Sequence, residues 1–143
     1  MIVNFLDLNK QIKSIDKKIL NSIKKNISKS SYIGGEDLSR FQKNFSEYLN
    51  VKYCLGVANG TDALEIAIKC LGLKKKSEII VPANTWISTA ESVINNNYKL
   101  KFVDVDETHN ICIKDLQKKI SNKTSAIIIV HLFGNPANII KIK

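Results

Sequence analysis

The sequence predicts an α/β protein built on a mostly parallel sheet flanked by helices, and three observations carry that prediction. From Val51 onward, short apolar runs alternate with stretches of helical spacing, the pattern of βαβ units. The apolar runs are continuous rather than alternating, as strands covered on both faces require. Residues before Val51 show helical spacing only.

The elements follow in order. Ile12, Ile15, Ile19, Leu20, Ile23 and Ile27 recur in steps of three and four, which predicts one helix over 10–29 with an apolar stripe and Lys elsewhere. Ser30 to Gly35 is a loop. Leu38, Phe41, Phe45, Tyr48 and Leu49 predict a second helix whose aromatic stripe packs in a core. A strand over about 53–58 then leads into a helix over 61–71, stopped by Gly72 as a C-cap. Glu78 to Val81 is a short buried strand closed by Pro82. Thr85 to Ile94 is a helix broken by Asn95-Asn96-Asn97. Leu100 to Val105 is a strand, Ile113 to Ile120 a helix, and Ala126 to Leu132 the most strand-like run in the chain. Gly134-Asn135-Pro136 ends it, and Ile139 to Lys143 reads as the start of another helix. There is no repeat, low-complexity segment or linker.

Composition narrows the function classes. At 143 residues with 44% hydrophobic and 24% charged residues, the chain is ordinary for a globular protein with a real core. No apolar run reaches membrane-span length and no signal-peptide pattern opens the chain, so the expectation is a cytoplasmic protein without a membrane partner. Cys54, Cys70 and Cys112 lack metal-ligand or disulfide spacing, and Cys54 and Cys70 read as small core residues. The net charge of +9 invites a nucleic-acid reading. Against it, every basic residue but Arg40 is Lys, and the Lys residues are scattered among Ile and Asn without interleaved aromatics. An acidic small-molecule partner remains compatible with this charge.

Ligands of open parallel sheets sit at the carboxyl ends of strands. The residues predicted there are Asn59-Gly60-Thr61, Asn84-Thr85-Trp86, Asp104-Val105-Asp106 and His131 to Asn135. In the first, Asn59-Gly60 is a turn signal, and Asp62 with Glu65 three residues on forms a capping-box-like pair. Such a helix start offers unpaired N–H groups to a phosphate. An ordinary strand-to-helix turn with nothing bound would look the same. Trp86 offers a stacking face for a planar ligand; taken alone, it reads rather as a partly buried cap on the core. His131 alone reads as a satisfied core group. No nucleophile–base pair stands nearby, and Asp104 and Asp106 do not make a metal set.

Six stretches occur in an order that closely resembles the amino-terminal part of the DegT/DnrJ/EryC1/StrS family of sugar aminotransferases. They are Phe5-Leu6-Asp7-Leu8, Tyr32-Ile33-Gly34-Gly35, Val57 to Leu64, Val81 to Trp86, Phe102 to Asp106 and Val130 to Ala137. The resemblance implies part of the large domain of fold type I enzymes that use pyridoxal 5′-phosphate (PLP). It implies a helical segment over 1–50 and the sheet region over 51–143, without the carboxyl-terminal small domain. It implies transfer of an amino group, usually from glutamate, to a keto sugar carried on a nucleotide. Gly60, Thr61 and Asp62 would then hold the cofactor phosphate, and Trp86 would stack on its ring. Family members form homodimers with shared sites, in which Tyr32-Ile33-Gly34 would contribute across the interface.

The family's Schiff-base Lys and the acidic partner of the pyridine nitrogen lie beyond the His131-Leu132-Phe133-Gly134 motif, and none of the 21 Lys residues stands where that Lys would. The expectation is therefore an amino-terminal fragment, inactive alone, with an unpaired hydrophobic sheet edge. The alternative is a vestigial or standalone βαβ module that binds a phosphorylated small molecule without catalysis.

Overall fold

A computed structural model describes residues 5–143. It divides into two compact units, one ending at Gly56 and one running from Val57 to Lys143.

The first unit is helical: α1 (Leu8–Ile12), α2 (Asp16–Ser28) and α3 (Gly35–Tyr48). The single helix expected over 10–29 is broken. The Ser14 hydroxyl bonds back to the Gln11 carbonyl at 2.7 Å, offering the backbone an alternative to helix. Asp16 then opens α2. Asn26 donates to Asp37 at 2.9 Å and Lys29 pairs with Glu36 at 3.3 Å, linking α2 to the start of α3. The expectation that the α3 stripe lies in a core is not met. No residue of the three helices is buried, and Phe41 and Phe45 stack on each other while half exposed. A unit this small cannot enclose its own apolar stripes. The strand expected over 53–58 does not form either. Its residues pair with none of the three strands observed, and Tyr53 and Leu55 are exposed; extended backbone without a ladder partner is not a strand.

The second unit carries the sheet. Its elements are α4 (Gly60–Cys70), β1 (Glu78–Pro82), α5 (Ile87–Asn95), β2 (Lys99–Val103), α6 (Ile113–Lys119), β3 (Thr124–Ile127) and α7 (Ile139–Ile142). The strand order is β2-β1-β3, and both pairings are parallel. Glu78 to Pro82 face Lys99 to Val103 in unbroken register, whereas the β1–β3 ladder slips one residue between Glu78 and Ile79.

β1 is the axis of the core, and its alternating side chains serve two faces. Ile79 and Val81 pack with Ile68 of α4 and Val93 of α5; Ile80 packs on the other face with Val103, Ile111 and Leu116 of α6. Ile79, Ile80 and Val81 are fully buried, each contributing roughly 1.5–3 kcal/mol of apolar burial. This is the continuous apolar signature of a doubly covered strand. Cys70 departs from its expected core role: it is exposed at the last position of α4, off the stripe that Ile68 occupies.

The strand expected over 126–132 ends early, at Ile127, after one further ladder bond from Ile128 N–H to the Ile80 carbonyl. By the β1–β3 register Ile129 falls opposite Pro82, which has no N–H to continue the ladder, and β1 ends there, so the run from Val130 onward has no partner. The run leads into a single 3-10 turn, Leu132–Gly134, entered through His131. β3 leaves its outer side open, beside a groove of about 410 Å³ lined by Ile120, Ala126, Ile127, Ile129, Ile139 and Ile142. This matches the expected unpaired hydrophobic edge.

Candidate functional site

At the carboxyl end of β1, two helices begin side by side. The N-cap of α4 is Asn59, in extended conformation, whose side chain accepts from the Asp62 N–H at 2.9 Å. This corrects the Asp62–Glu65 capping box. Asn59 is the stronger cap, and Glu65 is engaged elsewhere: its carboxylate accepts from Asn95 at 2.6 Å and its carbonyl from Asn96 at 3.1 Å. The asparagine run that ends α5 thereby also fastens it to α4. Asn96 donates to the Ser92 carbonyl as well, closing the end of its own helix.

The Asn59 carbonyl takes the Ala63 N–H at 3.1 Å. Of the first-turn N–H groups of α4, those of Gly60 and Thr61 have no partner among the described residues. A Cβ built on Gly60 would meet nothing within 4 Å, so its side-chain position faces open space. Gly60 has no positive φ to require glycine. Neither crowding nor backbone conformation among the described residues requires glycine at this position.

α5 begins at Ile87 with Trp86 as its N-cap residue, and no side chain caps it. The two helix starts are joined directly: the Thr61 hydroxyl lies 2.8 Å from the Ser88 hydroxyl, two residues past Trp86. Both helices pack on the same sheet face through Ile68 and Val93. Trp86 is 76% exposed, so it is not the partly buried core cap that the residue alone suggested. Trp86, with its indole exposed, thus lies two residues before the Ser88 hydroxyl that meets Thr61.

The other predicted corners are occupied by their own contacts. Asp106 accepts from the Thr108 hydroxyl and N–H, which hold its carboxyl below the ordinary carboxylate value. Asp104 donates its N–H to Asp115 at 2.8 Å, the leading cause of a lowered Asp115 pKa, with Lys119 at 2.9 Å adding to it. No group of acidic, His or Cys side chains among the described residues could hold a metal ion. His131 accepts the Ala137 N–H on Nδ1 at 3.0 Å, so it is satisfied, as expected, but exposed rather than in the core.

In the sequence Asn59 reads as part of a turn, its cap role missed, and Ser88 is passed over. Asn59 carried a usable signal, since Asn is among the strongest N-caps and stands three residues before Asp62. Ser88 carried none, because its role depends on a helix 27 residues away.

Fold and corner together define a parallel α/β unit with two helix starts joined by a hydroxyl pair. The chain belongs to the DegT/DnrJ/EryC1/StrS aminotransferase family, which it matches over residues 13–143. It is 34% identical over 134 residues to the dTDP-3-amino-3,6-dideoxy-alpha-D-galactopyranose transaminase of Aneurinibacillus thermoaerophilus, covering 93% of this chain and 37% of that protein. The crystal structure of Bacillus subtilis NtdA with bound cofactor PMP matches with a TM-score of 0.91 at 30% identity, covering 98% of this chain and 33% of that one. E. coli GDP-4-keto-6-deoxy-D-mannose-3-dehydratase with bound hydrated PLP matches with a TM-score of 0.81 at 32% identity, over 86% and 33% of the two chains. The chain thus spans about a third of the length of such relatives. No helix among the described residues is long and apolar enough to cross a membrane.

Proposed function

We propose that this chain is the amino-terminal portion of a PLP-dependent enzyme that aminates keto sugars carried on nucleotides. On this reading residues 1–50 are a helical lead and 51–143 the first part of the cofactor-binding large domain. The observation that carries it is the corner where Thr61 meets Ser88 beside Trp86, with two backbone donors free.

The residues present fit the cofactor. The open N–H groups of Gly60 and Thr61, with the Thr61 hydroxyl, would grip its phosphate at the positive end of α4. Asp62 supports the turn, since its N–H is held by Asn59. The indole of Trp86 would lie against the pyridine ring and keep water from one face. When bound, the cofactor supplies the electron sink for moving an amino group. The amino donor, glutamate by family resemblance, and the nucleotide sugar then need residues from the rest of the relatives' length. We infer that residues 1–143 bind the cofactor non-covalently and do not turn over alone.

Trp86 emission provides the test. Pyridoxine 5′-phosphate should quench it saturably and pyridoxine more weakly, both probes lacking the aldehyde that would react with surface Lys. Equal response to both removes the phosphate seat. For the covalent step, borohydride reduction after PLP loading should leave no stoichiometric mass adduct at a single Lys. Such an adduct would overturn the inference of inactivity.

A further inference from the structure

We propose that Ser88 is the positioning residue of the phosphate seat: it takes up one side of the Thr61 hydroxyl and so aims the other outward at the anion. The proposal rests on the phosphate-seat reading and extends it to a residue on a different helix.

Two hydroxyls 2.8 Å apart share one hydrogen bond and own two hydrogens. One hydrogen lies between them, and the other has no acceptor among the described residues. In the structure Thr61 donates to Ser88; an incoming anion that draws the Thr61 hydrogen outward leaves the Thr61 oxygen to accept from Ser88, by rotation of both O–H bonds. Ser88 is 8% exposed, whereas Thr61 is half-buried at the open turn. With an oxyanion in front of Gly60 and Thr61, the favourable arrangement has Ser88 donating to Thr61 and Thr61 donating to the anion. A hydrogen bond to a charged acceptor outweighs one between neutral hydroxyls. Chained donors also polarise one another.

The neighbouring hydroxyls do not compete. Thr85 and Thr89 pair with each other at 3.0 Å, and Ser92 bonds back to the Thr89 carbonyl. Nor does Ser88 cap α5, the usual task of a serine near a helix start. Its contact reaches across to α4, and it is the only hydroxyl–hydroxyl bond between these two helices among the described residues.

A serine that merely glued two helices would alter melting temperature and leave phosphate preference alone. The test therefore reads the ratio of pyridoxine to pyridoxine 5′-phosphate dissociation constants, from Trp86 quenching in the full chain. Ser88→Ala should lower that ratio about five- to tenfold, with little change in pyridoxine binding itself. Ser88→Thr, which keeps the hydroxyl, should restore it. Thr61→Ala should lower the ratio further, and adding Ser88→Ala to it should change nothing more, since Ser88 acts through Thr61. Should the alanine variant melt early, Ser88→Cys, similar in size and a weak donor, carries the same comparison. A wild-type preference that survives Ser88→Ala, or fully additive losses, overturns the positioning role alone. A wild-type chain with no preference for the phosphorylated probe overturns the phosphate seat and this inference together.

Discussion

Asn59 offers the sharpest separation of fold from ligand binding. Its carbonyl and its side chain make two different bonds to α4, to the N–H of Ala63 at 3.1 Å and of Asp62 at 2.9 Å. Asn59→Ala keeps the first and removes the second, orphaning one first-turn donor. Loss of an N-cap costs about 1 kcal/mol, within a range of roughly 0.5–2. In a unit of this size each kcal/mol lowers the melting temperature by about 4–8 °C. Asn59→Asp keeps the acceptor and adds a negative charge at the positive helix end, worth about 0.3–1 kcal/mol in favour of folding. The same charge stands beside the open donors of Gly60 and Thr61 and repels an anion there. We therefore expect opposite readouts: Asn59→Asp melts at or above wild type by far-ultraviolet circular dichroism but binds pyridoxine 5′-phosphate more weakly. Asn59→Ala should melt lower. If Asn59→Ala melts with wild type, the cap is not formed in solution. If Asn59→Asp binds the phosphorylated probe as well as wild type does, the anion does not sit at this helix start.

Ile79→Ala, at a fully buried position between Ile68 and Val93, should cost about 2–5 kcal/mol in urea unfolding, whereas Ile66→Ala, at a site 42% exposed, should cost far less. Trp86→Phe should leave the melting temperature within a degree or two, since the indole is largely exposed, while Trp86→Ala should weaken the phosphorylated probe in calorimetric titration. Asp115 has a folded pKa below its ordinary value of 3.8, through the Asp104 N–H first and Lys119 second. Such a group contributes stability that is fully present above its unfolded pKa and is lost as pH falls through the lower, folded one. The gap in melting temperature between wild type and Asp115→Ala should accordingly hold at neutral pH and close below pH 3.8. A gap that widens on acidification would reverse the sign of that coupling.

The parts of the fold legible in the sequence were those set by local rules. Glu78 to Val81 read as a buried strand because four apolar or strand-compatible residues meet Pro82, and it ends there. Gly72 stops α4 with φ +57, the conformation a C-cap glycine serves. Elements decided by distant partners were misread. Tyr53 to Ala58 has strand composition but no ladder, and Val130 to Leu132 outruns the end of β1. The α3 stripe has core composition but no core of its own to enter. At the candidate site, Gly60, Thr61 and Trp86 were singled out by residue type at expected strand ends, although the strand expected before Gly60 does not form. Ser88 could not, since a serine inside a helix says nothing until the facing helix is in place.

The strand order β2-β1-β3 places the earliest strand of the chain in the middle of the sheet. As the polypeptide leaves the ribosome, Ile79 to Val81 emerge with neither neighbour yet made. The β2 side closes once Val103 is out, and the β3 side waits until Ile127. During that interval one flank of the most deeply buried stretch in the unit stands bare, so released chains truncated at residue 115 should be cut there by protease and chains of residues 1–143 protected.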